Sequence, residues 1–146
     1  MKSVLIGIIA LSASIAVAQS VPSDMATNEV PRFSEVVQDG VYQGTTGWLG
    51  WTSCYMKVNT INGHDIQLQF WKDDYELNAF ISVGQLLTYD LDKNNALIYA
   101  QQSDGRHPRH QPIVFFDMNN NLTSYLIHLG RTVNTFNCDD LKYIGV

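Results

Sequence analysis

Cysteine is scarce in this chain. Only Cys54 and Cys138 occur, and neither has a second sulfur or a histidine at ligand spacing, which argues against a metal centre built on this pair. The Gly-x-Ser-x-Gly elbow of serine hydrolases is missing as well. The acidic pairs Asp73-Asp74 and Asp139-Asp140 are chain neighbours. In extended structure such neighbours point to opposite faces, so they make poor general acid/base pairs. Basic residues are few, with 9 Lys and Arg against 14 Asp and Glu, and this balance argues against nucleic acid or anionic lipid as partners. No stretch carries the period of a long helix, and no internal repeat is visible. These absences lead to the expectation of a non-catalytic protein with no cofactor and no metal.

What is present begins with an export signal. Lys2 is followed by the apolar run Val4-Leu5-Ile6-Gly7-Ile8-Ile9-Ala10-Leu11, and small residues lead to Ala16-Val17-Ala18. A basic start, an apolar core and an A-x-A site predict a secretory signal over residues 1–18, cleaved after Ala18. A membrane anchor needs about 20 predominantly apolar residues, and Ser12 and Ser14 interrupt this run. No cysteine follows it to carry a lipid. The mature protein is expected to be periplasmic or secreted, monomeric and not stably inserted in a membrane.

Cleavage leaves 128 of the 146 residues, enough for one domain that buries about two-thirds of its unfolded surface. Its formal charge is −6, since Lys2 leaves with the signal. Two cysteines in an exported chain are most simply one disulfide. Closing their 84-residue separation would contribute about 4 to 5 kcal/mol in the chain-entropy model.

Residues 19–35, with Pro22 and Pro31, read as a flexible lead-in, and 36–146 as a single β domain. Phe33 to Val37 fits one helical turn or a short first strand. From Val41 the pattern is strand after strand. Cys54, Met56 and Val58 alternate with Tyr55, Lys57 and Asn59; Asn62-Gly63 is a turn; then Ile66, Leu68 and Phe70 alternate with Gln67, Gln69 and Trp71. A period of two predicts a half-buried sheet. Strands follow at Leu77 to Val83, Leu86 to Leu91, Ala96 to Gln101, Ile113 to Phe116, Leu122 to Leu129 and Thr132 to Cys138. Ser103 to Gln111 is the one long loop. About eight short strands predict an all-β fold, a small antiparallel meander closed into a barrel or else a compact β-sandwich. The opening Gly40-Val41-Tyr42-Gln43-Gly44, set before a meander, resembles the start of lipocalin-like barrels. That resemblance rests on one motif and the strand pattern, and it implies a barrel shape only.

Two groups of residues are candidates for binding. Trp48 and Trp51 lie among glycines rather than in an alternating strand, which suits aromatic rings at a barrel mouth that receive a sugar, an apolar molecule or a partner. The loop from Asp104 to His110 gathers Arg106, His107, Arg109 and His110 in an acidic protein, a composition suited to an anionic group or simply to a solvated connection. Trp71, at a strand end, reads as core edge. Asp90-x-Asp92-x-Asn94 and Asp117-x-Asn119-x-Asn121 resemble the opening of a calcium loop. Both lack its glycine and its bidentate glutamate, so turn chemistry explains them better. Asn121-Leu122-Thr123 matches a glycosylation acceptor. The expected function is binding of a small apolar ligand or an envelope glycan at a barrel mouth. The alternative is a protein-interaction module such as an inhibitor or envelope accessory protein.

Overall fold

A computed structural model describes residues 29–47, 52–103, 105, 109–130 and 135–146. One helical turn, α1 (Phe33–Val36), precedes ten strands: β1 (Gly40–Thr46), β2 (Thr52–Ile61), β3 (Asp65–Lys72), β4 (Tyr75–Ser82), β5 (Thr88–Asp90), β6 (Asn95–Tyr99), β7 (Gln101–Gln102), β8 (His110–Phe116), β9 (Leu122–Leu129) and β10 (Thr135–Gly145). All belong to one antiparallel sheet in the order β5-β6-β8-β9-β10-β1-β2-β3-β4-β7. The expected all-β class is what the chain adopts.

The β2–β3 hairpin follows directly from its sequence. Asn62 and Gly63 take the positive φ angles that this dipeptide tolerates (54° and 68°). From there the register runs Ile61↔Asp65 to Tyr55↔Trp71, so Cys54, Met56 and Val58 share one face with Ile66, Leu68 and Phe70. All six are buried. The alternation continues through Leu77, Ala79 and Ile81 of β4 and Val114, Phe116, Tyr125 and Ile127 of β8 and β9. Tyr125, Phe70, Phe116, Phe33 and Met56 have no exposure at all. No water-sized space adjoins them, so side chains fill the concave side of the sheet.

Closure into a barrel is the point at which expectation and structure part. The ladder ends at β5 and β7, which do not pair with each other. Ala100, the single residue between β6 and β7, links the two ends through a backbone hydrogen bond to β8. β6 pairs with β8 as far as Tyr99↔Ile113, whereas β7 pairs with β4 at Phe80↔Gln101 and Ala79↔Gln102. Pro112 accounts for the switch. Its carbonyl accepts from the Ala100 N–H at 3.0 Å, so the side of Pro112 that faces Ala100 is the side on which its own N–H is missing. The β6–β8 ladder cannot continue there, and the chain passes to β4. The sheet therefore curls on itself without a closing ladder. The alternative of two separate sheets is not adopted either.

The sharpest curvature lies where Cys54 of β2 bonds to Cys138 of β10. These strands flank β1 on opposite sides, and strands two apart ordinarily stand about 9.5 Å from each other. Here the Cα atoms are 5.9 Å apart. The pinch is accommodated at Gly44, which pairs with Cys54 and lies in the bulge between Gln43 and Thr45 in the β1–β10 register. A Cβ on Gly44 would lie 2.8 Å from Cys138 Sγ and closer still to the Asp139 carbonyl. Gly40 has the other constraint of the motif, with φ of 139° and the Tyr143 ring packed where a Cβ would be. Between them, the Tyr42 hydroxyl accepts from the Gln38 N–H (3.0 Å) and donates to its carbonyl (2.8 Å). The Gly-x-Tyr-x-Gly opening is thus a corner that carries a crosslink.

One end of the curled sheet is plugged by α1. Phe33, assigned by sequence to the lead-in, is a core residue that meets Phe116 edge-on at 6.0 Å. Hydrogen bonds from the Phe33 N–H to the Gln85 carbonyl and from the Leu87 N–H to the Pro31 carbonyl (both 3.0 Å) fix the turn across the opening. At the centre of the core, the Tyr125 hydroxyl donates to the Tyr55 carbonyl at 3.0 Å. Burial pushes the Tyr125 pKa up; the Tyr55 bond opposes that shift, and nearby Tyr75 adds to it. A raised tyrosine pKa contributes stability that is complete below the ordinary value near 10 and is lost as pH climbs toward the folded value. The urea midpoint is therefore expected to fall between about pH 9 and about pH 11. Tyr125→Phe should flatten that fall, and an unchanged slope in the variant would count against this burial.

Candidate functional site

Alternation of strand direction sends the β1–β2, β3–β4, β7–β8 and β9–β10 connections to the end opposite the plug. Thr46↔Thr52, Lys72↔Tyr75, His110↔Leu129 and Thr135↔His128 are the last pairs of their ladders there. The strand ends flanking both candidate groups, the tryptophans and the basic loop, therefore share one end of the molecule. Trp48, Trp51, Arg106 and His107 themselves lie outside the described residues.

Five inward-facing positions meet at this end: Lys72, Tyr75, His110, Leu129 and Phe136. The Tyr75 hydroxyl and His110 Nδ1 share a hydrogen bond of 2.8 Å, with their rings stacked at 5.8 Å. Tyr75 also lies 5.6 Å from Phe136, which in turn lies 5.9 Å from Tyr125 beneath it. Lys72 Nζ stands 5.4 Å from the centre of the Phe136 ring, within range of a cation–π contact. β4, β8 and β10 are thus bridged by aromatic rings across the opening. What remains above them is a shallow cleft of about 320 Å³, lined by Lys72, Asp73, Asp74, Tyr75, Leu129 and Phe136.

The basic loop is shorter than its sequence predicts, because β8 begins at His110 rather than after Gln111. Arg109 is exposed at the turn before it, whereas His110 faces inward and is held by Tyr75. These two candidates therefore have different surroundings. Trp71 is not at the core edge. It alternates with buried Phe70 and stands on the outer face, stacked on Tyr55 at 5.1 Å and 11° between planes.

Turn chemistry accounts for the calcium-like sequences. Asp117 Oδ1 accepts from the N–H groups of Asn119 (2.8 Å) and Asn121 (2.9 Å), and the Asn121 side-chain amide donates to Oδ2 at 2.9 Å. The Asn121 side-chain bond, then its backbone bond, hold the Asp117 pKa below the usual carboxylate range. Asp90 acts alike, accepting from the Lys93 N–H at 3.2 Å. Among the described residues, no three His, Cys, Asp or Glu side chains cluster as a metal site, and no helix is long and apolar enough to cross a membrane.

Comparison with protein-family models, with characterised proteins and with solved structures finds no match. The functional reading rests on the geometry. The tyrosine–histidine bridge escaped sequence reasoning because its members are 35 residues apart and occupy ordinary strand-end positions; only the pairing of inward faces across the curl joins them.

Proposed function

We propose that the protein is a non-catalytic, exported, monomeric interaction module that presents its loop-bearing end to a protein partner outside the cytoplasm. The observation that carries this reading is the filled interior. A binder that encloses a small molecule needs empty space below its mouth, and here Tyr125, Phe70 and Met56 fill that space while Tyr75 and Phe136 cover it. Binding is thereby directed to the rim, where Arg109 is exposed; the sequence between the strand ends there supplies tryptophan and arginine, the residue types enriched at interface anchors. A disulfide suits an extracytoplasmic setting, and the signal-like start of the sequence agrees with it. The second reading, a small apolar ligand, retains the 320 Å³ cleft beside Leu129 and Phe136.

The test is site-specific photo-crosslinking in the native host. A photoreactive residue at Arg109, on the loop-bearing end, is expected to give a discrete protein adduct, and one at Asp92, in a turn of the plugged half, is not. Loss of the adduct on changing Trp48 and Trp51 to Ala would add support. Equal labelling from both positions, or none from Arg109, would remove the reading.

A further inference from the structure

The outer face of β1 to β4 carries a second feature. Val41, Lys57, Gln69, Trp71 and Glu76 line a groove of about 440 Å³ that reaches Asp73 and Asp74 at the hairpin tip. Cross-strand pairing builds it: Val41↔Lys57, Lys57↔Gln69 and Trp71↔Glu76 lie on successive ladders. From β1 to β4 that is three strand spacings, about 14 Å, more than one sugar ring requires.

Its polar groups are set in place. Glu76 Oε1 accepts from the Gln69 side-chain amide at 2.8 Å and from that of Asn78 at 3.4 Å. The carboxylate is thereby oriented and its second oxygen remains an acceptor. Each amide keeps its carbonyl oxygen and one further N–H. The Trp71 ring is fixed by its stack on Tyr55, so little rotamer freedom remains to be lost on binding.

We infer that this groove binds a neutral polysaccharide chain. A sugar ring offers an apolar C–H face to an indole and hydroxyl groups that both donate and accept. The groove supplies one fixed aromatic surface bordered by a carboxylate, amides and the Lys57 ammonium. It lacks the continuous apolar centre of a protein interface. One positive charge, Lys57, faces three negative ones, Asp73, Asp74 and Glu76, so a polyanionic glycan is disfavoured. The groove lies on the outer face of the sheet and meets the cleft of the loop-bearing rim at Asp73, Asp74 and Tyr75; its argument does not depend on the protein-partner reading.

Titration calorimetry with cellohexaose, chitohexaose and, as the acidic counterpart, hexagalacturonate tests this directly. At least one neutral hexasaccharide is expected to bind and hexagalacturonate is not. Trp71→Ala and Glu76→Gln should each weaken binding by about tenfold or more, with the circular dichroism spectrum unchanged. Glu76→Gln conserves shape at the surface and keeps the test valid if Trp71→Ala perturbs folding. Failure of both neutral sugars to bind, preference for the acidic one, or undiminished binding by Glu76→Gln would overturn the inference.

Discussion

Changing Cys54 and Cys138 together to serine is expected to lower the unfolding free energy by about 4 kcal/mol, measured by urea denaturation of the oxidised protein and the variant. The magnitude comes from chain entropy. The bond closes 84 residues of sequence, which constrains the unfolded chain by about 4 to 5 kcal/mol, while the mechanism itself depends on the model chosen. For a domain whose total stability is about 5 to 15 kcal/mol, such a loss leaves little margin. Geometry adds to the expectation, because β1 passes between the two crosslinked strands and Gly44 is the residue that lets them close over it. Without the bond, β2 and β10 should relax toward ordinary spacing and the corner should open. A variant within about 1 kcal/mol of the parent would mean that β-pairing alone holds the corner.

Phe33→Ala should destabilise by about 3 to 5 kcal/mol, the usual cost of removing a fully buried aromatic ring. Phe33 has no exposure and lies at the start of a helix of only four residues, which is too short to compensate for the cavity. The substitution also removes the edge-on contact with Phe116. Denaturant unfolding of the variant gives the magnitude, and hydrogen exchange at the Leu87 amide, which bonds to the Pro31 carbonyl, reports whether α1 detaches first. A loss below about 1 kcal/mol would show that the plug is dispensable.

Legibility in the sequence followed the strength of local signals. The β2–β3 hairpin has both a clean period of two and an Asn-Gly turn, and its turn and buried face are legible, as is the pairing of the two cysteines, although Lys72 belongs to β3 rather than to the turn after it. β9 matched its expected span of Leu122 to Leu129 for the same reason. The sequence pattern ends the last strand at Cys138, whereas β10 runs on to Gly145. Asp140, with φ of 56°, breaks the alternation there, and the exposed Lys142, Tyr143 and Ile144 carry no burial pattern. The lack of barrel closure is not legible in the sequence, because Pro112 acts through its pairing with Ala100, which no local window contains.

The candidate sites were legible in part. Strand alternation alone puts the flanks of Trp48, Trp51 and the basic loop at one end. It does not say that His110 turns inward to Tyr75, nor that Trp71 turns outward to Tyr55. In a strand the two faces differ by a single residue of register, and at strand ends, where burial is partial, composition does not reveal which face an aromatic takes.

The interior is filled by Tyr125, Phe70 and Met56, and the proposed binding is at the surface. Native mass spectrometry of the protein, purified gently from its own host, tests this most directly. The expected result is the mature chain with its disulfide intact, alone or with a protein partner or glycan. A stoichiometric small apolar molecule that stays bound until the chain unfolds would contradict it.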